Sequence, residues 1–127
     1  NDQNIAINLQ LNDLETCVIR ANTEQLRQLF NNLIKNALQA SKNDTEITIS
    51  LRIRDFKSIV EIADQGSGIS EELRDKVFQP NFTTKSSGMG LGLAITKNII
   101  TSLGGEIYFE TSNAGTTFYI ELPLKDK

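Results

Sequence analysis

The chain has 127 residues, 39% apolar and 23% charged, the balance of an ordinary globular domain, so residues 1–127 are read as one domain with its own core. Thirteen Lys plus Arg against sixteen Asp plus Glu give a formal net charge of −3, which argues against a general nucleic-acid or membrane-surface binder. There is no histidine and one cysteine, Cys17, which removes Ser–His and Cys–His catalysis, imidazole zinc sites, a phosphorylatable histidine and an internal disulfide.

Ile5 to Leu11 alternates apolar and polar residues, the pattern of a half-buried strand. Asn12-Asp13 reads as a turn and Thr16-Cys17-Val18-Ile19 as a return strand, with Cys17 a small buried hydrophobe in a reducing compartment. Asn22, with Gln25 three residues later, is a helix start. Leu26, Leu29, Phe30, Leu33, Ile34 and Ala37 then form an apolar stripe through about Ala40. Ile47, Ile49, Leu51 and Ile53 give a period-2 strand, Asp55 to Ser58 a turn, and Ile59 to Ala63 the next strand. Ser70-Glu71-Glu72 opens a short helix with a capping serine, ended near Phe78 by Pro80. Residues 81–92 read as a loop, and Leu93 to Leu103 as a helix stopped by Gly104-Gly105. Two last strands flank Asn113-Ala114-Gly115. This order predicts an α+β fold: a mixed, largely antiparallel sheet covered on one face by three helices.

The residues able to do chemistry fall in a few blocks. Asn32 and Asn36, four apart on the first helix, share a face, and carboxamide oxygens are hard neutral donors suited to magnesium. Asp64-Gln65-Gly66-Ser67-Gly68 follows a strand directly; its carboxylate can accept from an exocyclic amine and its glycines permit tight turning. Gly88-Met89-Gly90-Leu91-Gly92-Leu93 leads into a helix, whose first N–H groups and positive dipole end suit phosphate. The spacing is neither that of a Walker A loop nor that of a dinucleotide fingerprint. With 6% aromatics and no tryptophan, there is no base-stacking platform for nucleic acid. The polar start Asn1-Asp2-Gln3-Asn4 resembles neither a signal nor a transit peptide, and no apolar run reaches membrane length.

Five blocks occur in order: Asn-Leu-Ile-Lys-Asn-Ala (Asn32 to Ala37), Asp-Gln-Gly-Ser-Gly-Ile (Asp64 to Ile69), Phe-Gln-Pro-Asn-Phe-Thr-Thr-Lys (Phe78 to Lys85), Gly-Met-Gly-Leu-Gly-Leu (Gly88 to Leu93) and Gly-Thr-Thr-Phe (Gly115 to Phe118). Together they resemble the N, G1, F, G2 and G3 boxes of the catalytic, ATP-binding domain of sensor histidine kinases, over essentially the whole chain. Asn36 to Ser41 with Thr83-Thr84-Lys85 is most similar to the nitrogen-regulation branch. The resemblance implies the Bergerat two-layer α/β sandwich and a site for ATP and Mg2+. By it, Asn36 holds the magnesium and Asn32 lines the same site. Asp64 takes the adenine amine, with Gly66, Gly68 and Ile69 shaping the base pocket and Thr117 near the base. Thr83, Thr84 and Lys85 lie on the lid, with Lys85 able to reach phosphate. Gly88, Met89, Gly90, Leu91, Gly92 and Leu93 surround the triphosphate. Asn81 stands where an aromatic residue is common, and Gln39 where many members place a basic one.

The implied activity is transfer of the γ-phosphoryl of Mg-ATP to a histidine on a separate dimerization domain, with a response regulator downstream. The implied setting is cytoplasmic, in a full-length homodimer with or without an inner-membrane anchor, the isolated domain being monomeric. Two alternatives stay open: a hydrolysing ATPase of the gyrase, chaperone or mismatch-repair type, and a non-catalytic nucleotide-binding module. The hydrolysing relatives place a glutamate four residues before the magnesium asparagine. Here Asn32 stands there, and a neutral amide cannot act as a base.

Overall fold

In the computed structural model, which describes residues 5–11, 23–79 and 89–123, five strands form one sheet. They are β1 (Ala6–Leu11), β2 (Glu46–Arg54), β3 (Lys57–Ala63), β4 (Glu106–Ser112) and β5 (Gly115–Pro123), in the spatial order β1-β2-β3-β5-β4. Two α-helices, α1 (Thr23–Ala40) and α2 (Met89–Ser102), pack against each other and on β3 and β4 respectively. This is the expected α+β sandwich with a mixed sheet. No helix among the described residues is long and apolar enough to cross a membrane.

Strand alternation decides which face the helices cover. Ile47, Val60, Ile62, Ile107, Phe118, Ile120 and Leu122 are buried on that face, and Leu29, Leu33 and Ala37 of α1 and Leu93, Ile99 and Ile100 of α2 close over them. The opposite face is mostly polar, apart from the buried Ile59. There Arg52 pairs with Glu61 at 2.9 Å, and Tyr108 stacks on Tyr119 with centroids 5.0 Å apart. Their hydroxyls donate to Glu121 and Glu110 (2.6 and 2.7 Å), which pushes both tyrosines up to about 12 and keeps them protonated.

Several local expectations change. β1 pairs in parallel with β2, Ile7 opposite Ile47, so α1 lies in the crossover between them. The expected return strand at Thr16–Ile19, with Cys17, and the Asn22 cap lie outside the described residues. The middle helical element is a 3-10 helix, Glu71–Lys76, and Ser70 makes no side-chain cap hydrogen bond, in contrast to the capped helix read from the sequence. With six residues, it has little room to build the four-residue bonding of an α-helix before Val77 plunges into the core. Helix α2 begins at Met89, four residues before its expected start at Leu93. Once Leu93, Ala94 and Ile100 are packed, each further turn residue adds a hydrogen bond without a new nucleus, which offsets roughly 1 kcal/mol per glycine. At its other end Gly104 (φ 81°) and Gly105 donate to Thr101 and Ile100 at 3.0 and 2.9 Å, a Schellman stop as the paired glycines imply.

The β2–β3 hairpin turns on Asp55 and Phe56, both left-handed (φ 53° and 63°), and Phe56 is 86% exposed. A type I′ turn of this kind favours Asn-Gly, and phenylalanine gains no burial here in return. Replacing Asp55→Asn together with Phe56→Gly is expected to stabilise the fold by about 1 kcal/mol. A urea titration should show a higher midpoint at unchanged slope; an unchanged or lower midpoint would contradict the assignment of strain to this turn.

Candidate functional site

The central strand β3 ends at Ala63, and Asp64 follows it at once, only 7% exposed. Backbone pairing places it: Asp64 N–H donates to the Thr116 carbonyl at 2.8 Å. Its Oδ1 accepts from Gly66 N–H at 2.9 Å and from Thr116 N–H at 3.2 Å. Burial pushes the carboxyl above the ordinary aspartate range, and the two backbone donors pull it back only in part. Among the described residues both of these donors converge on Oδ1 and no hydrogen bond is made to Oδ2.

The glycines of this loop meet the protein's own backbone. A Cβ on Gly66 would lie 2.3 Å from the Ala40 carbonyl oxygen at the end of α1, and one on Gly68 (φ 87°) 2.0 Å from that of Ser112. A Cβ on Gly115 (φ 145°) would lie 2.0 Å from the Asp64 carbonyl oxygen. The loop is thus pressed between the end of α1 and the β4–β5 turn. Gln65 adds a clamp, its Oε1 accepting from Glu46 N–H at 2.8 Å at the first residue of β2. Gly68 also precedes Ile69, which packs on the core and whose N–H donates to Thr111 Oγ1 at 2.9 Å.

These contacts fix which helix ends surround Asp64. The C-terminal turn of α1 touches the loop through Ala40, so Asn36, one turn earlier, lies at the same end of the sheet. Asn32 and Asn36 are both half-buried on the flank of the Leu29, Leu33 and Ala37 stripe, whereas Asn31 is exposed. Helix α2 finishes at the opposite end, where a Cβ on Gly105 would lie 2.1 Å from the Glu121 carbonyl oxygen near the end of β5. Its N-terminus, with the backbone of Met89, Gly90, Leu91 and Gly92 helical, therefore points back toward the Asp64 end, and Leu93 is buried behind it. The site combines a buried carboxylate, two carboxamides on one helix flank and the positive end of another helix.

Of the residues expected at the site, Asp64, Gly66, Gly68, Ile69, the start of α2 and Asn36 lie toward this end, and Asn32 sits one turn further back, near the middle of α1. Thr83, Thr84, Lys85, Gly88, Asn81 and Pro80 lie outside the described residues. Thr116, the neighbour of the Thr117 expected near the base, is the residue that contacts Asp64. Thr117 pairs with Ala63 and Glu110, and strand alternation turns its side chain to the polar face. The sequence carried this signal, since Thr116 shares the parity of buried Phe118 and Ile120. Thr111 was missed entirely. It continues the inward row of Ile107 and Phe109, and a hydroxyl in such a row is itself a flag.

Among the described residues no group of three or more His, Cys, Asp or Glu side chains could cage a cation alone. Asn36 supplies one hard, neutral oxygen. That donor fits a magnesium ion that takes its other ligands from phosphate oxygens and water.

Comparison with known proteins agrees with this architecture. The family described as "Histidine kinase-, DNA gyrase B-, and HSP90-like ATPase" matches residues 21–126. Sporulation kinase D of Bacillus subtilis (strain 168) is 34% identical over 122 residues, covering 95% of this chain and 24% of that protein. The catalytic domain of the histidine kinase ThkA superimposes with a TM-score of 0.83 at 33% identity, over 94% of this chain and 78% of that one. The ThkA complex with the response regulator protein TrrA gives 0.80 at 31% identity, over 95% of this chain and 34% of that one. The chain spans only about a quarter of the length of curated relatives such as sporulation kinase D. It belongs to the histidine kinase-, DNA gyrase B- and HSP90-like ATPase family, and its relatives there are sensor histidine kinases.

Proposed function

We propose that the chain binds Mg-ATP beside Asp64 and donates the γ-phosphoryl group to a histidine on a separate dimerization domain. The observation that carries this reading is the Asp64 carboxylate, buried and held through Oδ1 by two backbone donors; in the proposed complex Oδ2 accepts from the adenine amine. Thr116 takes the place near the base first assigned to Thr117. The phosphates extend toward the N-terminus of α2, whose first-turn N–H groups and dipole favour negative charge. Asn36 holds the magnesium, which when bound supplies positive charge to the transferring group, and Asn32 lines the same flank. Lys85, with Thr83 and Thr84, belongs to the lid side of the site.

Phosphoryl transfer relies on positioning and electrostatics more than on covalent help from the protein. An acceptor histidine nitrogen forms the new bond to γ-phosphorus as the bond to the β–γ bridging oxygen breaks and ADP departs. The acceptor comes from outside this chain, which contains no histidine. Asn32 cannot take a proton from water, so hydrolysis is slow. The complex of ThkA with TrrA supports a response regulator as the downstream partner. In the same proposal the domain works in the cytoplasm within a homodimeric kinase.

The test is transfer in trans. With γ-labelled ATP the chain alone should acquire no covalent label. Adding the histidine-bearing dimerization domain should produce acid-labile, alkali-stable label on that domain, absent with Asn36→Ala, whose ATP binding should also lose its magnesium dependence in calorimetry. Acid-stable label on this chain, or fast turnover without the acceptor, would overturn the reading.

A further inference from the structure

We infer that Thr111 is a positioning residue for the base-recognition carboxylate of Asp64 and so helps set selectivity for the nucleobase. The inference rests on the ATP reading above. Thr111 lies on β4, outside all five sequence blocks, yet its hydroxyl touches two of them. Its Oγ1 accepts from Ile69 N–H at 2.9 Å, lies 2.8 Å from the Thr116 hydroxyl and 3.4 Å from the Gly115 carbonyl oxygen. Thr116 in turn exchanges two hydrogen bonds with Asp64, one in each direction.

The loop 64–69 is therefore fastened at both ends to the β4–β5 pair. Its first residue is held by Thr116 and its last by Thr111, and those two holders are joined through their hydroxyls. Between them, Gly66 and Gly68 sit against backbone oxygens that leave no room to shift inward. Removing the Thr111 oxygen leaves the partly buried Ile69 N–H without its acceptor and releases the far end of the loop. The two groups that hold Oδ1 are then less well placed themselves, because Gly66 belongs to the released loop and Thr116 has lost its hydroxyl partner, so the direction of Oδ2 loosens. A donor on the ligand must meet that oxygen at hydrogen-bond distance and angle, so the loss falls on a base presenting an amine there and spares one presenting a carbonyl.

The test uses the full chain with Mg-ATP and Mg-GTP in titration calorimetry, alongside thermal unfolding. Thr111→Val, close in shape but lacking the hydroxyl, should weaken ATP binding roughly tenfold while GTP binding changes little, narrowing the preference by the same factor. Thr111→Ser keeps the oxygen and should stay within about twofold of wild type. Should the valine variant not fold, Thr111→Ala removes the same atom with less demand on space and gives the same reading. A purely structural role would lower the melting temperature and leave the ATP-to-GTP ratio untouched, and that result overturns the inference while the ATP reading stands. A wild-type chain that binds no ATP overturns both.

Discussion

Asp64→Asn is expected to abolish selective ATP binding while making the domain more stable at pH 7. The amide keeps an oxygen where Oδ1 accepts from Gly66 and Thr116, so the loop retains its anchors. Its nitrogen replaces Oδ2 and presents N–H groups to the adenine amine, donor against donor. Losing that bond and leaving buried donors opposed should cost at least about 1–3 kcal/mol of binding, about five- to more than a hundredfold in affinity. The stability gain comes from the raised carboxyl of the folded state. A folded-state value above the unfolded one means that the native protein binds the proton more tightly, so wild-type stability falls as pH rises from the ordinary aspartate range through the folded value. The asparagine variant has no such loss. Its melting temperature should exceed that of wild type at pH 7, and the gap should close as the pH is lowered through that window. Equal ATP affinity, or a variant less stable at neutral pH, would remove Asp64 from this role.

Gly68→Ala should cost about 3 kcal/mol or more, a large part of the stability of a domain this size. Two effects add. The left-handed backbone (φ 87°) disfavours any side chain, and the new methyl would sit 2.0 Å from the carbonyl oxygen of Ser112, held by the β4–β5 turn. Gly104→Ala is the internal control. Its φ of 81° imposes the same backbone strain, but the nearest atom to its Cβ is Pro123 Cγ at an ordinary 3.6 Å. It should cost only about 1 kcal/mol. Chemical denaturation of both variants separates strain from collision, and equal losses would show that the approach of the loop to Ser112 carries no energy.

Much of this molecule is written locally. The stripe from Leu26 to Ala37 specifies α1, the alternation from Ile47 to Ile53 specifies β2, and Gly104-Gly105 stop α2, because periodicity and cap chemistry depend on near neighbours in the chain. The order and content of the asparagine and glycine blocks were enough to indicate the family, since each block carries its chemistry in a few adjacent positions.

What needed the tertiary structure is non-local. The partner of β1 is chosen across the α1 crossover, and no alternation within Ala6–Leu11 tells parallel pairing with β2 from a hairpin. The start of α2 at Met89 reflects packing further along the helix overriding glycine propensity. Gly66 and Gly68 invited a reading in terms of ligand approach, yet the atoms that exclude a side chain are Ala40 and Ser112 carbonyl oxygens, distant in sequence. Thr116 could be separated from Thr117 by parity alone, but Thr111 could not be tied to Asp64 without the β4–β5 register that brings their hydrogen bonds together. The sequence by itself determined the chemical inventory and the elements that bear it. The tertiary structure decided which carboxylate oxygen of Asp64 is held and which threonines do the holding, because those outcomes depend on contacts between segments that folding alone brings within hydrogen-bond range.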